Sequence, residues 1–188
     1  MGPVGGVSGI EAIHAAIGSA GFECVGSCAT GALVLRPEVR AMCAAGRCRA
    51  YGANWACPPH CGSLEDFRCL LDGHRECILV QTVAPLEDEF DADAMLVAES
   101  LHRRRMAMLA EALGSQEDTA VLGAGPCTLC DPCPCPDESC RFPHRRLVSM
   151  EAAGLVVSEA CTAAGIAYNH GPCTIAYTGC VLAGKAPP

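Results

Sequence analysis

The sequence predicts an α/β or α+β fold in which a small sheet is flanked by helices. Stretches with a helical apolar period alternate with short β-branched runs, and this alternation supports either fold class. The chain has 188 residues, a length that suits one domain. Cysteine-rich stretches interrupt the regular elements and are predicted to be loops. We therefore expect a single domain over residues 1–188 with two cysteine-rich loops.

The first half of the chain is predicted to contain two helices and two strands. Ser8 opens a capping box, and the apolar stripe of the helix that follows ends at Gly21. An apolar run over 32–35, stopped by Pro37, predicts a short strand. Ser63 is the expected N-cap of a helix over 64–72. The run over 77–83 is β-branched and predicts the strongest strand.

The second half is predicted to contain the longest helix, over 91–113. Its expected inward stripe consists of Ala94, Val97, Ala98, Leu101, Met108, Leu109 and Ala112. A third strand over 119–122 would run into Gly123-Ala124-Gly125. Ser149 is the expected N-cap of a helix over 149–164, with Cys161 among its inward residues. A closing strand or strand pair is predicted over 173–182.

Composition and charge exclude several function classes. Hydrophobic residues make up 51% of the chain, which excludes a disordered chain. The net charge of −8 and the aromatic content of 4% argue against a nucleic-acid partner. No apolar run is long enough to span a membrane, so no membrane partner is expected. The N-terminus lacks the features of a secretory signal, and we expect a cytoplasmic protein.

The chain contains 16 cysteines, and eight of them fall into two groups. The first cysteine block has the spacing C-x4-C-x8-C-x3-C and comprises Cys43, Cys48, Cys57 and Cys61. The second cysteine block has the spacing C-x2-C-x2-C-x6-C and comprises Cys127, Cys130, Cys133 and Cys140, with Cys135 as an extra thiol. A disulfide framework suits short secreted chains, whereas clustered cysteines in a reducing compartment are more often metal ligands. We therefore predict metal binding at both blocks.

Spacing favours iron–sulfur over zinc in the second block. Structural zinc sites are usually built from two C-x2-4-C pairs set well apart. Here three thiols fall within seven residues, from Cys127 to Cys133, as in the ferredoxin run that wraps one cluster. Cys133 and Cys140 are wider apart than the corresponding ferredoxin cysteines. In the first block, Pro58 and Pro59 stiffen the loop next to Cys57, and Trp55 either covers the site or packs in the core.

The same residues resemble a known family. The stretch Cys43-x4-Cys48-x2-Tyr51-Gly52-x2-Trp55-x-Cys57-Pro58-Pro59 is similar to the first signature of predicted metal-binding proteins grouped as domain of unknown function 2284. The stretch Gly125-x-Cys127-x2-Cys130-x2-Cys133-x6-Cys140-Arg141-x-Pro143 is similar to the second. The resemblance extends from about Arg36 to Leu182. It implies a small cytoplasmic iron–sulfur or metal protein whose ligands are Cys43, Cys48, Cys57, Cys127, Cys130, Cys133 and Cys140. Cys61 and Cys135 are not fixed parts of the pattern.

Three functional hypotheses follow. The first is an iron–sulfur protein with two [4Fe-4S] clusters, one in each block, that transfers electrons to a redox protein partner. The second is an enzyme with an open iron, which requires that Cys61 is not a ligand. The third is a zinc-stabilised structural or adaptor module. Arg141, His144, Arg145 and Arg146 are expected either to compensate cluster charge or to bind an anionic molecule. The sequence leaves the catalytic activity and the oligomeric state open.

The remaining cysteines have a simpler expected role. Cys77 and Cys161 lie inside regular elements, and we expect them to pack as small buried apolar side chains. The pairs Cys24/Cys28 and Cys173/Cys180 are looser in spacing. They leave open a third metal site formed by the two ends of the chain.

Overall fold

The computed structural model describes residues 9–45, 48–114 and 118–186. In these ranges the helices are α1 (Gly9–Ala20), α2 (Pro37–Ala44), α3 (Leu64–Asp72), α4 (Ala92–Leu113), α5 (Met150–Ala153) and α6 (Val157–Ala163). The strands are β1 (Cys24–Ala29), β2 (His74–Pro85), β3 (Thr119–Leu122) and β4 (Thr174–Lys185). The predicted cap at Ser8 lies outside the described residues.

The described strands form one antiparallel sheet with the order β1-β2-β4-β3. Cys28 pairs with Cys77 across β1 and β2, and Val121 pairs with Val181 across β3 and β4. Because every pairing is antiparallel, the fold is α+β, one of the two predicted classes. The central strands β2 and β4 are the longest of the sheet, and both are buried on two faces over much of their length.

The two faces of the sheet carry separate apolar clusters, as the period of two along a strand requires. One face packs against α1 and α4 through Ile13, Ile17, Ile78, Val80, Met106, Leu109, Leu113, Val181 and Ala183. The other face packs against α3, α5 and α6 through residues that include Leu79, Leu182, Met150, Leu155 and Cys161. Each fully buried Ile, Leu or Val contributes roughly 1.5–3 kcal/mol to folding. Cys61 of the first cysteine block packs against the second of these clusters.

Several predicted elements are confirmed. Ser63 caps α3 as predicted and forms a capping box with Asp66. The longest helix, predicted over 91–113, corresponds to α4, and Asp91 is its N-cap because the Asp91 side chain accepts a hydrogen bond from the Ala94 amide. The strands predicted over 77–83 and 119–122 correspond to β2 and β3, and the predicted closing strand corresponds to β4. Cys77 and Cys161 are fully buried, as expected for packing residues.

The strand predicted over 32–35 is wrong. The strand lies earlier, at Cys24–Ala29, and a short 3₁₀ helix covers Thr30–Ala32. Apart from Val25, β1 lacks the β-branched and aromatic residues that favour strands, and it contains a glycine, so it carries little local signal. Its pairing with the whole central part of β2 decides its conformation. Leu35 retains only an isolated bridge to Leu155.

The single helix predicted over 149–164 is also wrong, because the chain forms two helices there. Ser149 caps α5 as predicted, but the helix ends at Gly154, which adopts a left-handed conformation with φ of 102°. A Cβ at this position would lie 2.6 Å from Leu64 Cδ2, so the turn also requires a residue without a side chain. After the turn, α6 buries Ala160 and Cys161 as expected.

The inward stripe predicted for α4 is only partly correct. Ala98 and Leu109 are buried, but Val97 and Met108 are 68% and 56% exposed. His102 and Met106 are buried in their place. His102 was not predicted to face inward because the stripe was chosen from apolar residues only. In the structure, a hydrogen bond with Thr82 satisfies one of its ring nitrogens, so the ring can be buried.

Candidate metal centre

The second cysteine block lies on a loop over 124–148 whose two ends are held together. β3 ends at Leu122, and Gly123 then forms an isolated parallel bridge with Ser149. The Gly123 amide donates to the Val148 carbonyl over 2.8 Å, and the Met150 amide donates to the Gly123 carbonyl over 3.0 Å. A loop closed at its base by main-chain hydrogen bonds keeps its cysteines near the end of the sheet.

The first cysteine block lies between α2 and α3. Cys43 is on α2, and the other three cysteines are on the loop that follows. Within this loop, the Gly52 amide donates to the Pro58 carbonyl and the Cys61 amide donates to the Cys57 carbonyl. The Cys61 thiol donates to the Ala152 carbonyl over 3.8 Å, so the loop is tied to α5.

Hydrogen bonds join the two cysteine-rich loops directly. The Asn54 side-chain amide donates to the Cys127 carbonyl over 2.8 Å, and Asn54 is buried. The Trp55 indole donates to the Glu138 carbonyl over 3.0 Å. Arg146 donates to the Trp55 carbonyl over 2.7 Å. A cleft of about 350 Å³ between the loops is lined by residues that include Trp55, Cys140 and Arg146. The loops therefore form one continuous region.

The thiols of the first block influence one another's pKa. Burial, followed by the charges of other thiols, raises the pKa of Cys57 to about 12. Those thiols are Cys48, Cys61, Cys43 and Cys127. Burial and the charge of Cys48 also raise the pKa of Cys43. The influence of Cys127 on Cys57 extends across the two blocks.

The thiols of the second block are coupled in the same way. Burial raises the pKa of Cys127, and the charges of Cys140 and Cys133 raise it further. Burial and the charge of Cys133 raise the pKa of Cys130, whereas Arg141 lowers it. The buried Cys135 lies within reach of Cys133, Cys140 and Arg146. The thiols of the second block thus also influence one another's pKa, with Cys135 as a further neighbour.

Positive side chains accompany both blocks. The charges of Arg40 and Arg146 lower the pKa of Cys61, against the larger effect of its burial. Arg40 Nη2 lies 3.9 Å from Cys61 Sγ and donates to the Gly62 carbonyl over 2.7 Å. Arg40 Nη1 is buried and has no hydrogen-bond partner among the described residues. Arg145 stacks on Phe142, with 5.7 Å from its guanidinium carbon to the ring centre.

A family model described as predicted metal-binding protein (DUF2284) matches residues 27–183, a range that contains both blocks. The chain belongs to this family. No curated protein and no solved structure matches it. The extent of the match confirms the resemblance that the two cysteine signatures indicated. No helix within the described ranges has the length and apolar character needed to cross a bilayer.

In this DUF2284 member, the role of the eight predicted cysteines as metal ligands stays a prediction. Among the described residues, no group of three or more histidine, cysteine, aspartate or glutamate side chains is arranged so that it could hold a metal ion. Two features nevertheless fit an iron–sulfur group. Thiols are soft ligands suited to iron–sulfur clusters and zinc. The unpartnered Nη1 of Arg40 would find an acceptor in a bound anionic group.

Two residues of this DUF2284 centre, Arg40 and Asn54, were not predicted from the sequence. Arg40 lies one helical turn before Cys43, so helical spacing alone would have placed both on one face of α2. Asn54 stands between Cys48 and Cys57, and only the folded chain reveals its contact with Cys127.

The third metal site, formed from pairs at the two ends of the chain, does not assemble as the spacing suggested. Cys173 is exposed, whereas Cys180 is buried in the sheet. Instead, Cys28, Cys77 and Cys180 lie on neighbouring strands, and the interaction with a neighbouring thiol raises the pKa of Cys28 and of Cys77. Cys77 and Cys180 belong to the apolar cluster that packs against α3, α5 and α6, and Cys28 packs against that cluster.

Proposed function

We propose that this protein is an iron–sulfur protein with two [4Fe-4S] clusters that transfers electrons to a redox protein partner in the cytoplasm. The first cluster would be held by Cys43, Cys48, Cys57 and Cys61, and the second by Cys127, Cys130, Cys133 and Cys140. Such a cluster, when bound, supplies a centre that gains or loses one electron. Full thiolate ligation would leave no position for a substrate, which suits electron transfer better than catalysis.

The observation that carries the proposal is the contact between the two loops. Cys57 and Cys127 lie within electrostatic range, and the Asn54 amide bonds the main chain of Cys127. Electron tunnelling falls steeply with distance, so two centres that exchange electrons must be close. The Trp55 and Arg146 hydrogen bonds hold the same two loops at a second point.

The positive side chains support the proposal independently. An oxidised cluster with four thiolates carries a net charge near −2. Arg40 and Arg146 act on the first block, and Arg141 acts on the second. Guanidinium groups offer several N–H donors to cluster sulfur and thiolate, and such bonds stabilise the negative group.

The test is anaerobic purification followed by iron, sulfide and zinc analysis. We expect about eight iron and eight sulfide per chain for two four-iron clusters. Cys57→Ser and Cys133→Ser should each remove about half of the iron, since each breaks one cluster. The matched control is Cys69→Ser, because Cys69 is exposed and outside both blocks. Stoichiometric zinc without iron would overturn the proposal and leave a structural zinc module.

A second candidate function rests on Cys61. Its thiol already has a partner in the Ala152 carbonyl, and Arg40 beside it carries an unpartnered donor. If only Cys43, Cys48 and Cys57 bind the first cluster, one iron is open to a small substrate. Cys61→Ser separates the candidates. Loss of the first cluster favours electron transfer, and retention of a labile cluster favours an enzyme.

A further inference from the structure

A small cavity lies between α4 and the segment that leads into the second cysteine block. Its volume is about 80 Å³, which exceeds the space that one water molecule needs. Its lining includes His102, Met106, Gly123, Pro126, Leu129 and Leu147. Most of these side chains are apolar, so the cavity suits a small molecule with an apolar body.

One residue of this lining, His102, carries a polar atom that has no partner among the described residues. The His102 side chain is 1% exposed, and its Nε2 is buried without a hydrogen-bond partner in that part of the chain. Nδ1 is directed at β2, where it lies 3.1 Å from Thr82 Oγ1. Nε2 lies on another side of the ring from Nδ1, and it is the ring nitrogen that is left for a ligand of the cavity.

The hydrogen bond with Thr82 has a different donor in each tautomer of the His102 ring. Arg105 donates to Thr82 Oγ1 over 3.1 Å, so the hydroxyl oxygen already accepts one hydrogen bond. In the tautomer in which this hydroxyl donates to Nδ1, Nε2 carries the ring proton. Burial, followed by the charges of Arg105 and Arg103, lowers the pKa of His102 to about 4, which keeps the ring neutral. In that tautomer Nε2–H is a donor without an acceptor among the described residues.

The charged groups near the cavity are also donors. Arg103 already forms an ion pair with Glu99 and donates a hydrogen bond to the Pro126 carbonyl. Arg145 lines the cavity and is exposed, with its guanidinium stacked on Phe142. No aspartate or glutamate is among the described residues that line the cavity. A ligand must therefore bring the acceptor.

We propose that this cavity binds a small carbonyl compound whose oxygen accepts a hydrogen bond from His102 Nε2–H. Short carboxylates and short neutral amides share this chemistry, and Arg145 would favour the carboxylate. Cys127 of the second cysteine block also lines the cavity. The hydrogen bond itself requires no metal in either block, so this proposal goes beyond the electron-transfer proposal and can fail or succeed separately from it.

The test is NMR spectroscopy of the full chain with ¹⁵N-labelled histidine, titrated with propionate, propionamide and n-propylammonium. We expect the His102 Nε2–H signal to shift with the first two probes and not with the ammonium ion, which has no acceptor. Arg145→Met should weaken propionate binding and leave propionamide binding unchanged if the carboxylate is favoured. An equal effect on both probes would assign the site to neutral carbonyl compounds. No saturable shift with either carbonyl probe would overturn the proposal.

Two further pairs of variants separate binding from folding. His102→Asn retains a group that can bond Thr82 but removes the cavity donor, whereas His102→Gln places a side-chain amide donor towards the cavity. We expect the Asn variant to bind propionate at least about tenfold more weakly than the Gln variant. Ala107→Leu would fill the cavity mouth, since Ala107 is an exposed lining residue. Its control is Ala112→Leu, at an exposed position of α4 outside the cavity. Equal binding by Ala107→Leu and Ala112→Leu would contradict the proposed location.

Discussion

The side-chain amide of Asn54 donates a hydrogen bond to the main-chain carbonyl of Cys127, with 2.8 Å between Nδ2 and O. Oδ1 of the same side chain accepts from the Ala56 amide over 2.9 Å. One buried side chain therefore shapes the first cysteine loop and attaches it to the second. Its removal tests whether the two loops act as one unit.

Asn54→Asp keeps the acceptor for Ala56 but places a carboxylate oxygen against the Cys127 carbonyl. We expect this change to lower the free energy of unfolding by about 1–3 kcal/mol or more, because it leaves a buried acceptor without a donor. Urea denaturation of the metal-free chain measures the change. The control is Asn169→Asp, whose exposed Oδ1 accepts from the Gly171 amide and survives the substitution. Equal stability of the Asn54 variant and the wild-type chain would show that the contact is dispensable.

The buried His102 ring should make stability depend on pH. Burial and two arginine charges lower its pKa to about 4 in the folded chain, whereas an unfolded histidine titrates at about 6.5. The unfolded state therefore binds more protons between these values, and stability falls as the pH drops from about 6.5 to about 4. The loss would reach up to about 3 kcal/mol, to order of magnitude.

Urea denaturation at a series of pH values tests this dependence. His102→Gln should flatten the profile over that range, while His144→Gln, at an exposed position, should leave it unchanged. A profile that His102→Gln does not alter would assign the pH dependence to other groups.

Gly26 of β1 has no room for a side chain. A Cβ there would lie 2.5 Å from the Ala164 carbonyl oxygen and 2.5 Å from Ile166 Cγ2. Gly26→Ala should therefore cost about 1–3 kcal/mol, because main chain must move. Gly18→Ala in α1 is the matched control: nothing lies within 4 Å of its Cβ, and the change should stabilise the helix by about 0.5–1 kcal/mol. Thermal unfolding should give opposite shifts, and a rise for Gly26→Ala would contradict the packing.

The thiol row of the sheet should resist alkylation. A hydrogen bond to Cys77 and then burial raise the pKa of Cys28, and a hydrogen bond to Cys180 raises the pKa of Cys77. Since the thiolate is the reactive form, we expect N-ethylmaleimide to leave Cys77 and Cys180 unmodified in the folded chain. The exposed Cys69 and Cys173 should react. Peptide mass mapping before and after unfolding measures both, and rapid native labelling of Cys77 would show that the sheet opens there.

Arg40 offers a test that rests on the proposed clusters. Its positive charge favours the reduced, more negative state of a nearby cluster, so Arg40→Met should make the reduction potential more negative. Arg68→Met is the control, since exposed Arg68 pairs with Glu65 on the surface of α3. An unchanged potential in the Arg40 variant of a loaded protein would place Arg40 outside the influence of the cluster.

Local sequence predicted those elements whose signals act over a few residues. Ser63 specifies the start of α3 through contacts with Asp66 within one turn, and the predicted cap is present. Elements with weak local preference were missed. β1 forms because β2 offers a pairing edge, and the helix over 149–164 breaks because Gly154 must turn beside Leu64. At both places tertiary contacts override the local preference for secondary structure.

The sequence by itself predicted the two cysteine blocks, because their spacing along the chain is visible without a fold. It also determined membership of a predicted metal-binding family, through the spacing of both signatures. Only the tertiary structure joined the two cysteine-rich loops, since Asn54 and Cys127 are too far apart in sequence for local geometry to bring them into contact. The bridge of Gly123 to Ser149 and the Asn54 hydrogen bond achieve this by closing one loop and attaching the other.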